Sequence, residues 1–193
     1  MRALCEEAVH AALATGAAYA DARVVRRHEQ EVRTRNGAPA SVTDRETEGI
    51  GVRVLAGGCW GFACDRVLTP AAARSAAAAA AALARAGAGA RAGGAALAPA
   101  APGRGSFRSV GEEDPIAVSV DEKLALCLAA DEAMRAEATV VVREALVRAQ
   151  REHRVLVSSE GAATDVETAE CGAGISATAA GDSGLQTRSY PGG

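Results

Sequence analysis

One stretch, residues 48–64, constrains the fold of this chain more than any other. It alternates large apolar residues with glycine or arginine, the period-two pattern of a strand that buries one face. The alternating apolar residues are Ile50, Val52 and Val54. Gly57-Gly58 then permits a tight turn with positive φ angles. The extended pattern resumes with Trp60 and Phe62, so the stretch predicts a β-hairpin whose aromatic side chains belong to the core rather than to a ligand site.

The same pattern returns near the end of the chain. Residues 171–179 match the first strand of the hairpin, with Gly174 aligned to Gly49 and Ile175 to Ile50, and a glycine-rich break follows. The match predicts two related units, each made of a helix, a long strand, a turn and a strand-rich tail.

The length, net charge and distribution of apolar residues exclude several classes of protein. The 193 residues suffice for one domain or two small ones. The net charge of -3 argues against nucleic acid as a partner. No apolar run reaches the roughly 18 residues of a membrane span. The N-terminus places Glu6 and Glu7 where a secretory signal would be apolar, so we expect a cytoplasmic protein without a membrane partner.

The first half of the chain predicts a helix over residues 2–15 and a long strand over residues 21–35, followed by a hairpin turn at Asn36-Gly37. Residues 40–48 are expected to pair back across that turn or to form a bulged edge. The odd positions of the long strand are mostly charged: Arg23, Arg27, Glu29, Glu31, Arg33 and Arg35. We interpret this side as a solvated face, with an edge that pairs with another chain as the alternative.

Further helix and strand signals lie on both sides of a linker. Thr69 and Pro70 predict the start of an alanine-rich helix that ends near Gly87 and Gly89. Residues 92–111, rich in Ala, Gly and Pro, are predicted to be a linker without regular structure. A capping box at Ser119 and Glu122 predicts a helix to about residue 137. Strands are predicted over residues 139–150 and 155–161, with a turn at 151–154 between them.

Together these patterns predict an α+β fold with a mostly antiparallel or mixed sheet and helices packed on one side. The expected division is into subunits 1–91 and 112–193, joined by the linker 92–111. The duplicated unit would then be helix, strand and hairpin.

The residues alone complete no active site. His10, His28 and His153 fall on different predicted elements, so no metal ligand is assigned. The five cysteines include no Cys-x-x-Cys pair, which favours reduced thiols. Cys59 and Cys64 would point to opposite faces of a strand, and Cys5 and Cys171 are interpreted as buried structural thiols. No catalytic residue is therefore assigned, and the substrate-binding residues stay unknown.

Five segments, taken in order, resemble the N-terminal half of the TldD/PmbA family, once called modulators of DNA gyrase. They are Ala20-Asp21-Ala22-Arg23, Gly49-Ile50-Gly51-Val52-Arg53-Val54, Trp60-Gly61-Phe62-Ala63, Val157-Ser158-Ser159-Glu160-Gly161 and Gln186-Thr187-Arg188-Ser189. The resemblance extends over nearly the whole chain.

The resemblance implies a zinc metallopeptidase that acts on peptides or unfolded proteins and assembles as a homo- or heterodimer. Family members bind zinc through a His-Glu-x-x-x-His helix motif whose glutamate is the base. That motif lies in the C-terminal half of the family, and no position here matches it. We therefore expect no cofactor in this chain, with zinc in the C-terminal half of a full-length member.

Three hypotheses follow. The chain is the non-catalytic N-terminal portion of such a peptidase, contributes to its substrate cavity and dimer, and is inactive alone. Alternatively, it is a short metal-free paralogue that acts as a partner subunit or binds peptide by strand addition. Third, it is a regulator associated with gyrase or DNA, which the acidic net charge disfavours.

Overall fold

The computed structural model describes residues 1–88, 94–98, 101–109, 111–182 and 184–192. The elements are α1 (Arg2–Leu13), β1 (Tyr19–Arg35), β2 (Ala38–Ala56), β3 (Cys59–Asp65), α2 (Pro70–Ala88), β4 (Arg104–Arg108), α3 (Val120–Arg135), β5 (Val140–Ser158), β6 (Ala163–Gly181) and β7 (Gly184–Gly192). The strands form one sheet in the order β3-β2-β1-β5-β6-β4, and β7 also pairs with β6. The β2–β3 and β6–β7 pairs are antiparallel and the β4–β6 pair is parallel. The predicted α+β class with a mostly antiparallel sheet is confirmed.

The chain divides into two compact units whose segments interleave in sequence. Unit 1 comprises Met1–Arg26, Thr47–Arg108 and Glu152–Glu167. Unit 2 comprises Arg27–Glu46, Ser109–Arg151 and Thr168–Gly193. The order of one helix followed by three strands occurs twice, as α1-β1-β2-β3 and as α3-β5-β6-β7, which is the order that a duplicated unit requires. The sequence division into 1–91 and 112–193 stays a prediction.

Unit 1 has a core made largely of small side chains. Ile50, Val52 and Val54 of β2 are at most 1% exposed beneath the helices, as the alternating pattern predicts. Helix α2 begins where expected, because the Thr69 hydroxyl accepts a hydrogen bond from the Ala72 amide at 3.3 Å. Its buried face is all alanine: Ala73, Ala76, Ala77, Ala80, Ala81 and Ala84. This smooth face lets the helix backbone lie directly on the sheet. The predicted end at Gly89 lies outside the described residues.

Unit 2 has a smaller core beneath α3. The predicted capping box is present, since the Ser119 hydroxyl accepts from the Glu122 amide while the Glu122 carboxylate accepts from the Ser119 amide. The buried apolar cluster comprises Val32, Cys127, Ala145 and Val147. Among the described residues, no helix is long and apolar enough to cross a membrane.

The β2–β3 hairpin forms as predicted, with Gly57 and Gly58 at φ angles of 58° and 76° in its turn. The expectation that its aromatic side chains belong to the core is wrong. Trp60 and Phe62 are 40% and 58% exposed, because they lie on the face of β3 opposite α2. Helix α2 covers only the other face, where β3 presents small residues.

Two further expectations are corrected. Residues 151–154 do not form a turn but continue β5, since their charged side chains find partners on neighbouring segments: Asp114 in the loop before α3 for Arg151, and Asp165 on β6 for His153. Residues 104–108, predicted to belong to a linker without regular structure, form strand β4. This strand carries no hydrophobic alternation, because all five of its residues are exposed at a sheet edge.

Candidate functional site

The most complete side-chain constellation of unit 1 lies on the strand face opposite the helices. We call it the aromatic–arginine cluster and define it as Tyr19, Asp21, Arg53 and Trp60. The strand register places it there: Leu55 pairs with Trp60 and Arg53 with Phe62, so these residues share one face. The alternating residues on β2 face the helices instead. The pleat of the hairpin therefore separates a core face from the face that carries the candidate site.

An ion pair between a buried carboxylate and a half-exposed guanidinium anchors the cluster. Asp21 is 7% exposed, and its Oδ2 accepts hydrogen bonds from Arg53 Nε at 2.8 Å and from Arg53 Nη2 at 2.7 Å. The central carbon of the Arg53 guanidinium lies 4.8 Å from the ring centroid of Trp60, within cation–π range. Tyr19 meets Trp60 edge-on, with ring centroids 5.7 Å apart and an interplanar angle of 82°. Arg53 is thus held between a carboxylate and an aromatic face.

Two side chains of the cluster have raised pKa values. The hydrogen bond to Asp21 raises the pKa of Arg53 above its ordinary value. Burial, followed by the nearby Asp21 charge, raises the pKa of the Tyr19 hydroxyl. A phenol and a charge-paired guanidinium whose pKa values are both raised are poor acids at pH 7. The cluster is therefore suited to recognition by contact rather than to proton transfer.

Four of the five family-like segments meet at this place. Asp21, Arg53 and Trp60 come from three of them, and Ser159 comes from a fourth. The Ser159 amide donates to the Ala20 carbonyl at 2.8 Å, and its Oγ accepts from the Ala20 amide at 3.1 Å. Sequence analysis singled out these segments but named no site residue within them. The Ser159 segment joins the other three only through contacts with a strand 139 positions away, which sequence spacing does not reveal.

The charged ladder on β1 forms ion pairs with the neighbouring strands. Glu29 of unit 2 accepts from Arg45 Nη2 at 2.9 Å and from Arg148 Nη2 at 3.2 Å, which come from the strands on either side. The bond from Arg45, opposed by burial, lowers the pKa of Glu29. The alternative that this ladder is an edge open to another chain is wrong, because β1 lies between β2 and β5. Cross-strand ion pairs let a charged strand occupy the interior of the sheet.

The fifth family-like segment lies on β7 in unit 2, beside a shallow groove of about 300 Å³. Ser189 of that segment lines the groove together with Arg33, Glu144, Leu146, Ser176 and Tyr190. Thr187 of the same segment hydrogen-bonds Thr178 across the β6–β7 pair at 2.8 Å. The charged rim is already engaged, because Arg33 binds Glu31 at 2.8 Å.

Unit 2 also contains a buried lysine that sequence analysis missed. Lys123 is 4% exposed, and its Nζ donates to the Gln30 side-chain oxygen and to the Val118 carbonyl. Burial lowers the pKa of Lys123. Gln30 in turn donates to Asp44 at 2.9 Å, and Asp44 lies 2.6 Å from His28 Nε2. This chain of contacts fixes α3 to the β1–β2 hairpin.

The three histidines lie on separate elements, α1, β1 and β5. His10 is exposed on α1, His28 contacts Asp44, and His153 lies 2.8 Å from Asp165. All five cysteines are free. Cys5 and Cys127 are buried, which raises the pKa of both thiols. Cys171 is exposed, so its assignment as a buried thiol is wrong.

The described residues do not fit a zinc site. Across residues 1–88, 94–98, 101–109, 111–182 and 184–192, no three His, Cys, Asp or Glu side chains converge where they could hold a metal ion. Structural or catalytic zinc requires at least three such protein ligands.

Two family profiles match the sequence in succession. Residues 20–84 match the PmbA/TldA metallopeptidase domain 1, and residues 113–192 match the PmbA/TldA metallopeptidase central domain. No curated protein matches the chain.

Solved structures share the fold over nearly the whole chain. A protein from Bacteroides thetaiotaomicron, described as a candidate modulator of DNA gyrase, superposes with a TM-score of 0.80 at 15% identity and covers 98% of this chain and 44% of its own. A protein of the same description from Thermotoga maritima gives 0.70 at 18% identity, covering 98% and 42%. TldE from Thermococcus kodakarensis gives 0.68 at 15% identity, covering 97% and 42%. The chain thus spans less than half the length of each structure.

Proposed function

The chain belongs to the TldD/PmbA family, and from this premise we propose that it forms the non-catalytic N-terminal portion of a cytoplasmic metallopeptidase that acts on peptides or unfolded proteins. In this role it contributes a wall of the substrate cavity and part of the dimer surface. The observation that carries the proposal is the succession of the family's domain 1 and central domain along residues 20–84 and 113–192.

The aromatic–arginine cluster supports a role in substrate contact. Trp60 is 40% exposed beside an arginine that is fixed by a buried carboxylate. Tryptophan, tyrosine and arginine are the residues that most often carry binding energy at protein surfaces. Because Asp21 and Trp60 hold the guanidinium in place, little side-chain entropy is lost when a peptide contacts it. The chain's own residues would bind and orient a substrate, while the hydrolytic chemistry would come from the zinc site of the family's C-terminal half.

Two measurements on the purified chain test this function. Binding of a fluorescently labelled unstructured peptide is followed by anisotropy, and hydrolysis of the same peptide is followed with excess zinc. We expect micromolar binding without cleavage, and cleavage when a zinc-loaded TldD/PmbA-type subunit is added. Zinc-dependent cleavage by the chain alone would contradict the non-catalytic role. Absence of binding, with and without that subunit, would contradict the role in substrate contact.

A metal-free binding or partner subunit is the second candidate. It is favoured by the fact that all four residues of the aromatic–arginine cluster belong to one compact unit of this chain. The coding sequence beyond the Gly193 codon and the mass of the native protein distinguish the two. A longer product with a His-Glu-x-x-x-His motif supports the peptidase portion, and a stop codon supports the subunit.

A further inference from the structure

Two side chains of the β2–β3 hairpin lean in opposite directions on the face that carries the aromatic–arginine cluster. Arg53 and Phe62 lie directly opposite one another in the strand register. The Arg53 guanidinium nevertheless lies against Trp60, one residue pair closer to the turn on this face. The Phe62 ring instead lies over Gly51, one pair further from the turn, where a Cβ would be 3.1 Å from Phe62 Cε2. A gap therefore separates the guanidinium from the phenyl ring.

The width of this gap matches a flat ring. Residues two positions apart on a strand, such as Gly51 and Arg53, are about 6.7 Å apart along it. The Phe62 ring stands over the first of them, and the guanidinium leans away from it toward Trp60. A planar ring stacked between two groups needs about 3.5 Å on each side. The gap therefore accommodates one aromatic ring.

The hydrogen bonds of Arg53 favour an aromatic ring over a carboxylate in this gap. Its Nε and Nη2 already donate to Asp21 Oδ2 at 2.8 and 2.7 Å, so its charge is balanced within the cluster. Its planar face stays available, since the Arg53 side chain is 53% exposed. A guanidinium plane attracts the negative face of an aromatic ring, as it does with Trp60.

Exposed cations close to the gap disfavour a positively charged occupant. Arg23 lies two residues after Asp21 on β1 and is exposed. Arg66 directly follows β3 and is also exposed. The carboxylate of Asp65 lies on the other face of the hairpin, since Asp65 pairs with the core residue Ile50. A lysine or arginine side chain in the gap would therefore be repelled, whereas a neutral ring would not.

We propose that the gap between Arg53 and Phe62 binds an aromatic side chain of a peptide substrate. The inference rests on the proposed function and names the substrate class, peptides that contain phenylalanine, tyrosine or tryptophan. The inserted ring would cover part of the exposed Phe62 side chain and extend the stack that Trp60 and Arg53 begin. Phenylalanine is usually buried in folded proteins, so this requirement also favours unfolded substrates.

The probe is the labelled unstructured peptide of the function test, in versions that differ only at one central residue. That residue is phenylalanine, cyclohexylalanine or lysine. Cyclohexylalanine has nearly the size and hydrophobicity of phenylalanine but lacks the aromatic π face. We expect the phenylalanine probe to bind about 5-fold more tightly than the cyclohexylalanine probe, with the lysine probe weakest. Anisotropy measures affinity, and the fluorescence of Trp60, the only tryptophan of the chain, reports contact at this place.

Two substitutions test the location of the site. Phe62→Ala removes one side of the gap, and Gly51→Ala pushes the Phe62 ring from its present position, since the new Cβ would lie 3.1 Å from it. Both should weaken binding of the phenylalanine probe at least ~5-fold. Phe107→Ala is the matched control, because Phe107 is 59% exposed on β4 and Phe62 is 58% exposed on β3. It should change binding less than about twofold.

The outcomes separate this site from the broader function. Equal binding of the phenylalanine and cyclohexylalanine probes overturns the aromatic assignment, and unchanged affinity of Phe62→Ala and Gly51→Ala overturns the location. Either result leaves peptide binding elsewhere on the chain intact. Circular dichroism and thermal unfolding check each variant, and Gly51→Ala decides the location if Phe62→Ala does not fold. Failure of the wild-type chain to bind any of the probes, with and without the zinc-loaded subunit, overturns the proposed function and this site together.

Discussion

The carboxylate of Asp21 links the stability of unit 1 to its candidate recognition surface. It is nearly buried and holds a guanidinium whose other face lies against Trp60. Asp21→Asn keeps the shape of the side chain but removes the charge that balances Arg53. We expect a loss of about 1–2 kcal/mol in the free energy of unfolding, since Arg53 is half exposed and can be partly hydrated. Urea denaturation measures this loss.

The control for this substitution is Glu7→Gln, which breaks the ion pair with Arg74 at 2.8 Å. Both of these side chains are exposed, so we expect a change below about 1 kcal/mol. An equal effect of the two substitutions would show that Asp21 contributes no more than a surface ion pair.

Glu29 makes the stability of unit 2 depend on pH in the acidic range. Its folded-state pKa lies below the ordinary value, chiefly because Arg45 donates a hydrogen bond to it. A carboxylate with a lowered pKa stabilises the fold fully above its unfolded pKa of about 4.3 and loses this contribution as pH falls through the folded pKa. The difference in unfolding free energy between wild type and Glu29→Gln should therefore be constant above about pH 5.5 and shrink below about pH 4.5. A difference that grows on acidification would contradict this assignment.

At the scale of elements, the contact between α2 and β3 depends on one glycine. A Cβ at Gly61 would lie 2.0 Å from the Ala80 oxygen and 2.6 Å from the Ala84 nitrogen, both backbone atoms. Gly61→Ala must therefore displace the helix, and we expect a cost of about 1–3 kcal/mol. The thermal unfolding midpoint measures it.

Gly174 is the matched control on β6, since a Cβ there would meet its nearest atom at 3.6 Å. Gly174→Ala should leave the midpoint nearly unchanged. A small effect at Gly61 would indicate that α2 is free to move off β3.

Local signals in the sequence were sufficient for the elements that are set by local chemistry. The capping box at Ser119, the helix start at Thr69 and the Gly57-Gly58 turn each depend on a few adjacent residues, and each was predicted correctly. Errors arose where long-range pairing decides the outcome. Residues 151–154 have the composition of a turn but remain in β5, because Arg151 pairs with Asp114, 37 positions away, and His153 pairs with Asp165 on the next strand.

At the scale of the whole molecule, sequence could locate the family-like segments but not the site that they form. Asp21 and Arg53 each follow a strand pattern, and neither reveals that they are paired at 2.7 Å. The exposure of Trp60 was missed for a related reason. Tryptophan is usually buried, and only the position of α2 determines which face of β3 is covered.

The interleaved units predict how the chain responds to truncation. If residues 1–91 and 112–193 were independent domains, a fragment of residues 1–111 would fold alone. Unit 1, however, includes Glu152–Glu167, from which Val155 enters the core at 1% exposure and Ser159 binds Ala20. Without that segment, β1 loses its pairing with β5, and the core of unit 1 loses the buried side chain of Val155.

We therefore expect the fragment 1–111 to lack a cooperative unfolding transition, whereas the full chain has one. Near-ultraviolet circular dichroism at Trp60 and thermal denaturation of both proteins measure this. Adding a synthetic peptide of residues 152–167 should restore part of the signal, because that segment supplies the missing contacts of unit 1. A cooperative transition of the fragment alone would instead favour the sequence division at the linker 92–111, with Glu152–Glu167 docking onto a domain that is already folded.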